Sequence, residues 1–393
     1  MRKRILSLCL LFLLVISGFS AADSSKPLVL AVSSDLHFSQ EPSASVYSMM
    51  SRVDALANAM ADQVIDLHPD AFILCGDNTN SGRQSDAEAL SDILGRIRDA
   101  GIPVIIITGN HDLDLGDPES FKAVYSSLCP AEERDTASLS YMLHVGPVRI
   151  LAMDDNSFTS GQWGAFSEKT MTWLRNQLSE AELQGEPVLF LSHHNVLPGG
   201  EEAKESSYTI RNPELRDLLA DHGVILCLSG HRHSQDILYG NGLYEIVSAM
   251  PGAFPHLFGT ITISDGKLAY RAEPLKLSEF GKAYGLDEIL AIEQEEGDAF
   301  STVAERLPGW ADSSAEEQAA AKRRFALFMG NYAGGTLADV QEEIVNDPFY
   351  PRFLALFRES NYGAWMQYLL ESDILAGNRL ELDISDWWDQ TNE

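Results

Sequence analysis

Five stretches of this chain follow one pattern: an apolar, largely β-branched run stops abruptly at residues of the kinds that bind metals. The clearest is residues 104–107, Val-Ile-Ile-Ile, which give way through Thr108 to Gly109, Asn110, His111 and Asp112. Residues 28–32 lead to Asp35 and His37, and residues 71–75 to Gly76 and Asp77. Residues 188–191 lead to His193 and His194, and residues 224–228 to Gly230, His231, Arg232 and His233. A run that is apolar at every position suits a strand whose sheet is covered on both faces. Glycine at its end lets the chain turn sharply. In open α/β sheets, ligands collect outside the carboxyl ends of the strands. Five such endings therefore predict one shared site at one sheet edge.

The segments between these runs carry helical spacing. Val53, Leu56, Met60, Val64 and Leu67 predict a helix over about 43–67, ended by His68 before Pro69. Leu90, Ile93, Leu94 and Ile97 predict another over 85–100, with Gly101 as its C-terminal cap. Further helices are expected over 168–182 and 213–222. A hairpin is expected about Gly146-Pro147, with closing strands over 243–248, 257–263 and 268–274. From about Leu277 helical patterns dominate, with a capping box read at Ser313 and Glu316. The fold class is α/β, with a helical C-terminal region.

The N-terminus reads as a signal peptide. Arg2, Lys3 and Arg4 precede an apolar run to about Phe19, and Ser20-Ala21-Ala22 supplies small residues for cleavage. The expected organisation is a signal peptide at 1–22, a catalytic domain at 23–276 and an α-helical domain or subdomain at 277–393. The protein is then exported, whether secreted, periplasmic or at the cell surface, without integral membrane association once the signal is removed. A formal net charge of -30 argues against nucleic acid as a partner. Cys75, Cys129 and Cys227 form neither a disulfide framework nor a Cys-x-x-Cys pair.

The collected donors are Asp35, His37, Asp77, Asn110, His193 or His194, His231 and His233. Oxygen and imidazole donors without thiolate suit Mn, Fe or Zn. They exceed what one ion needs, and Asp77, alone on its strand end, is the natural bridge in a two-metal hydrolytic site. Arg232, between two donors, is expected to point away. His68, His144 and His222 fall outside the pattern. The 277–393 segment contains no histidine and is expected to pack on the body without supplying ligands.

The order Asp35-x-His37, Gly76-Asp77, Gly109-Asn110-His111-Asp112, His193, Gly230-His231-x-His233 resembles the calcineurin-like metallophosphoesterase family over about residues 28–275. The resemblance implies a four-layer α-β-β-α sandwich with a dinuclear centre of divalent or trivalent transition metals. One metal would take Asp35, His37, Asp77 and His233; the other would take Asp77, Asn110, His193 and His231. His111 would be the non-ligand catalytic histidine, with Asp112 orienting it. His193, the first histidine after its strand, is preferred to His194. Purple acid phosphatases place a tyrosine ligand soon after the Gly-Asp; here Asn78-Thr79-Asn80 follows, so the likeness is to the phosphodiesterase and general phosphatase branches. The implied activity is hydrolysis of a small phosphomonoester or phosphodiester by hydroxide generated at the metals. The alternative is a catalytically silent metal-binding scaffold of the same fold. Such relatives lack the catalytic histidine or several donors, and none is missing here.

Overall fold

The apolar runs form the strands of two stacked sheets in the computed structural model. It describes residues 26–41, 48–128, 130–158, 163–199, 208–224, 226–296, 313–357, 361–372 and 374–385. The expected signal peptide and Cys129 lie outside these residues.

The first sheet contains β1 (Leu28–Ser33), β2 (Ala71–Leu74) and β3 (Val104–Ile106), paired in parallel. On its other side β1 pairs antiparallel with β11 (Leu257–Ser264), which pairs with β12 (Lys267–Pro274). The second sheet runs β4 (Glu133–Arg134), β5 (Tyr141–Val145), β6 (Val148–Ala152), β7 (Val188–Leu191), β8 (Leu226–Ser229), β10 (Leu243–Val247), β9 (Asp236–Gly240). Its centre, β6 through β8 to β10, is parallel.

The side-chain alternation explains the unbroken apolar runs. In β1, Leu30 and Val32 enter the core between the sheets, while Ala31 faces outward. In β2, Ala71 and Ile73 point inward, and Phe72 and Leu74 meet the helices α1 (Val53–Leu67) and α2 (Gln84–Asp99). In β7, Leu189 and Leu191 point inward, while Phe190 packs on α3 (Glu168–Gln184) through Met171, Leu174 and Leu178. Helices cover both outer faces, so neither face of these strands meets water. The result is four layers, α-β-β-α.

The caps follow local chemistry. His68 ends α1 in the left-handed conformation, and Gly101 takes φ +87 just after α2. The C-terminal capping box uses Ser314 with Glu317, one residue beyond the expected pair, at the start of the helix Ala315–Ala333. That helix gathers with Leu337–Asn346, Tyr350–Phe357 and Asn361–Glu371 around Phe325, Phe328, Phe353 and Met366. The region is not wholly helical. Arg379–Asp383 forms β13 and extends the first sheet antiparallel to β12. Its Leu380 and Leu382 alternate with polar residues and pack against the core between the sheets.

Candidate metal centre

The strands β1, β2, β3, β7 and β8 deliver donors at their carboxyl edges, and the two sheets bring those edges together. Two groups result. Asp35, His37, Asp77 and His233 form one, and Asp77, His193 and His231 form the other, with donor atoms in each group within 4.8 Å of one another. Asp77 belongs to both. Its Oδ1 accepts a hydrogen bond from the backbone N–H of His111 at 2.8 Å. Its Oδ2 is buried, has no hydrogen-bond donor, and faces His193 Nε2 at 3.4 Å and His37 Nε2 at 3.7 Å.

Around this carboxylate, imidazole nitrogens converge. His37 Nε2 and His233 Nε2 are 3.0 Å apart, and His231 Nδ1 and His193 Nε2 are 3.2 Å apart. Asn110 Oδ1 lies 3.2 Å from His193 Nε2, which adds the amide to the second group. The Nδ1 of His193 is 2.9 Å from the carbonyl oxygen of Cys75, which only accepts, so Nδ1 carries the proton and Nε2 is left as a donor atom for a cation. Asp35 accepts from the backbone N–H of His231 at 2.9 Å and faces His233 Nε2 at 3.3 Å.

The electrostatics ask for positive charge. Burial works against the charged ring of His193, yet Asp77 outweighs it and lifts the ring to about 10. Burial alone would raise Asp35 and Asp77, but the hydrogen bond and charge of His233 hold Asp35 below the usual carboxylate range, and the charge of the nearby His193 holds Asp77 below it. Burial pushes His37 down to about 4 and His231 to about 2, so both rings offer lone pairs. A buried carboxylate oxygen without a hydrogen-bond donor, with the lone pairs of His37 and His231 close by and a His193 ring that its carboxylate neighbours draw toward positive charge, suits transition-metal cations.

The backbone here is strained. Asp35, His37, Asp77, His231 and His233 all have φ between 47 and 68, in a region that residues with side chains rarely adopt. Two glycines permit the close approach of the loops. A Cβ on Gly76, at φ +89, would lie 2.5 Å from His193 Nδ1, and one on Gly109 would collide with the backbone and carboxylate of Asp77.

His194 turns away from the cluster. Its Nδ1 and its backbone N–H meet Asp155 Oδ2 at 3.0 and 2.9 Å, and its ring centroid lies 4.2 Å from that of His231. The His193 side chain is the one brought into the donor group. His111 sits beside the first group, its ring centroid 4.8 Å from that of His37. Its Nδ1 faces the Asn80 carbonyl oxygen at 3.0 Å and Asp114 Oδ2 at 3.3 Å.

Asp112 does not orient His111 as expected. Its buried carboxylate accepts from the backbone N–H groups of Asn78, Thr79 and Gly109, and from the Asn78 and Thr79 side chains, at 2.8–3.1 Å. It therefore ties the loop after β2 to the loop after β3, and the imidazole is placed by Asn80 and Asp114. Asp155, just after β6, has a task in the site. It anchors both histidines after β7, accepting weakly from His193 N at 3.4 Å as well as from His194. Nothing in its local sequence marks that task.

A family model described as calcineurin-like phosphoesterase matches residues 28–235. A glycerophosphodiester phosphodiesterase of Enterobacter lignolyticus is 30% identical over 178 residues, covering 44% of this chain and 59% of that relative. The match thus spans less than two thirds of that relative's length. A probable cyclic nucleotide phosphodiesterase of Synechococcus sp. is 26% identical, covering 56% of this chain and 79% of the relative. The crystal structure of a dimetal phosphatase from Danio rerio shares the fold with a TM-score of 0.51 at 16% identity, covering 62% of this chain and 95% of that one.

Proposed function

Because the chain belongs to the calcineurin-like phosphoesterase family, we propose that it is a metal-dependent hydrolase of small phosphate esters, diesters foremost, holding two transition-metal ions through the two donor groups. The observation that carries this reading is Asp77 Oδ2, buried without a hydrogen-bond donor and shared by both groups. The names of the two phosphodiesterase relatives support diesters as the substrate class. A silent metal-binding scaffold would use the donors but would have no use for the His111 ring held beside them.

When bound, the ions supply positive charge that neutralises the anionic ester and makes water acidic enough to attack phosphorus at neutral pH. Asp35, His37, Asp77 and His233 would hold one ion; Asp77, Asn110, His193 and His231 would hold the other. His111 handles the proton. Its Nδ1–H is committed to the Asn80 carbonyl, with Asp114 Oδ2 at 3.3 Å, so in the imidazolium form the second proton sits on Nε2, from which it passes to the departing alkoxide and leaves the neutral ring. Asp112 keeps the loops of Asp77 and Asn110 in register.

Export of the mature chain is part of the same proposal and rests on the basic and apolar N-terminal sequence. No helix among the described residues is long and apolar enough to cross a membrane. The test is turnover of the purified protein with added manganese on aryl monoesters, aryl diesters, cyclic nucleotides and glycerophosphodiesters, before and after chelation. We expect diesters to be cleaved fastest and chelation to abolish turnover while lowering the melting temperature. Turnover that survives chelation would refute the metal-dependent reading, and preference for monoesters would refute the substrate class.

A further inference from the structure

The loop at residues 231–233 is the most demanding part of the site, and much of what holds it comes from the far end of the chain. His231 and His233 donate to different groups, and both lie at positive φ, at 68 and 56. A strained segment of this kind persists only when its surroundings fix it. The residues flanking His233 are Arg232 and Ser234. Arg232 Nη2 and Ser234 Oγ both donate to the hydroxyl oxygen of Tyr332, each at 3.3 Å. Tyr332 lies near the end of the helix Ala315–Ala333, in a region whose described residues supply no donor.

Several other contacts run the same way. Gln235 N–H donates to the Ala333 carbonyl at 3.1 Å, and its Nε2 donates to the Gly377 carbonyl at 2.9 Å. Gly377 N–H donates to the Gly335 carbonyl at 2.7 Å. Arg232 points away from the donor groups, and its Nη1 pairs with Asp236 at 3.3 Å. The Tyr332 ring is itself fixed, with the Trp365 ring at 4.8 Å, edge to face. The hydroxyl is therefore a rigid acceptor held by the helical bundle.

We propose that Tyr332 is a positioning residue for the metal site: its hydroxyl fixes Arg232 and Ser234, and through them the His233 ring, so the C-terminal region sets metal affinity without contributing a ligand. This deepens the two-metal reading and rests on it. Losing Tyr332's hydroxyl leaves every donor in place and loosens the loop between them. Its effect belongs in the affinity for metal, most strongly in the group that uses His233.

The experiment uses the full chain, stripped of metal and titrated with manganese by calorimetry, as wild type, Tyr332→Phe and Ser234→Ala. Tyr332→Phe keeps the ring against Trp365 and should fold. We expect it to weaken one of the two manganese affinities by about tenfold, the lower end for groups that support metal ligands. The other affinity and the turnover at saturating manganese should stay near wild type. Ser234→Ala should weaken the same affinity by less. Manganese affinities equal to wild type in both variants would overturn the proposal, even if the melting temperature falls, because that pattern is packing alone. A wild type that takes up no manganese would instead refute the two-metal reading on which the proposal stands.

Discussion

Gly109→Ala should disable the site without altering any donor. Gly109 is not at positive φ, so alanine meets no backbone penalty there and the effect is steric. Its Cβ would be built against the backbone nitrogen and Oδ1 of Asp77, and 2.8 Å from Asp77 Cα, where contacts below 3.0 Å are essentially never seen. Neither strand end can yield freely. Gly109 N–H donates to Asp112 at 2.9 Å, and Asp77 Oδ1 accepts from His111 N–H at 2.8 Å. Overpacking of this kind costs about 1–3 kcal/mol. The greater loss should be functional, since a displacement of roughly 1 Å in a site costs on the order of 10²-fold in rate. The assay is melting temperature, bound metal by mass spectrometry, and kcat/KM on an aryl phosphodiester. Gly95→Ala in α2 is the control, because its Cβ would meet only Arg98 Nη2 at 3.7 Å. That variant should gain up to about 1 kcal/mol from helix propensity and keep full activity. Full metal loading and wild-type kcat/KM in Gly109→Ala would refute the reasoning.

His111→Ala should keep both metals and lose about 10²–10⁴-fold in rate, with a smaller loss on substrates whose leaving groups need no proton; an equal loss on good and poor leaving groups would argue against the acid role. His193→Ala should lose one of the two metals while His194→Ala keeps both, and metal analysis showing the reverse would reassign the ligand. Glu245 is buried and accepts from Val196 N–H, Leu197 N–H and Ser229 Oγ at 2.6–2.9 Å, and burial raises its carboxyl from 4.5 to about 7. The fold thus favours the protonated acid, and this contribution is complete below about pH 4.5 and lost as pH rises through about 7. Denaturant unfolding across that window should show a downward slope that Glu245→Gln reduces; an identical slope in the two proteins would contradict it.

The parts of the fold legible in the sequence are those where one physical rule acts alone. Strands covered on both faces are apolar at every position, so β1, β2, β3, β7 and β8 could be read directly, and their polar endings with them. Where two rules compete, the reading slips. Ser313-Ser314-Ala315-Glu316-Glu317 offers two capping registers that local chemistry cannot separate, and the fold uses the second. Arg379–Asp383 alternates as a strand should, but it follows a run of helices, and only the free edge of β12 makes it one. Asp112 carries a motif position whose neighbour is His111, yet its side-chain partners, Asn78 and Thr79, lie in a loop more than thirty residues earlier. Tyr332 shares no local pattern with Arg232, which lies 100 residues away. Contacts of that kind leave no periodicity to read.

The placement of β1 has a consequence for how the protein comes into being. Its parallel partner β2 follows closely, but its antiparallel partner is distant, with Leu28 registered against Ile263. A ribosome adding about 5–20 residues per second needs roughly 10–50 s to make the intervening chain. Throughout that interval one edge of an almost wholly apolar strand has no mate. Among the described strands, the one that leads into Asp35 and His37 is therefore the earliest made and among the last completed, which makes the nascent chain a natural client for any factor that shields unpaired strand edges.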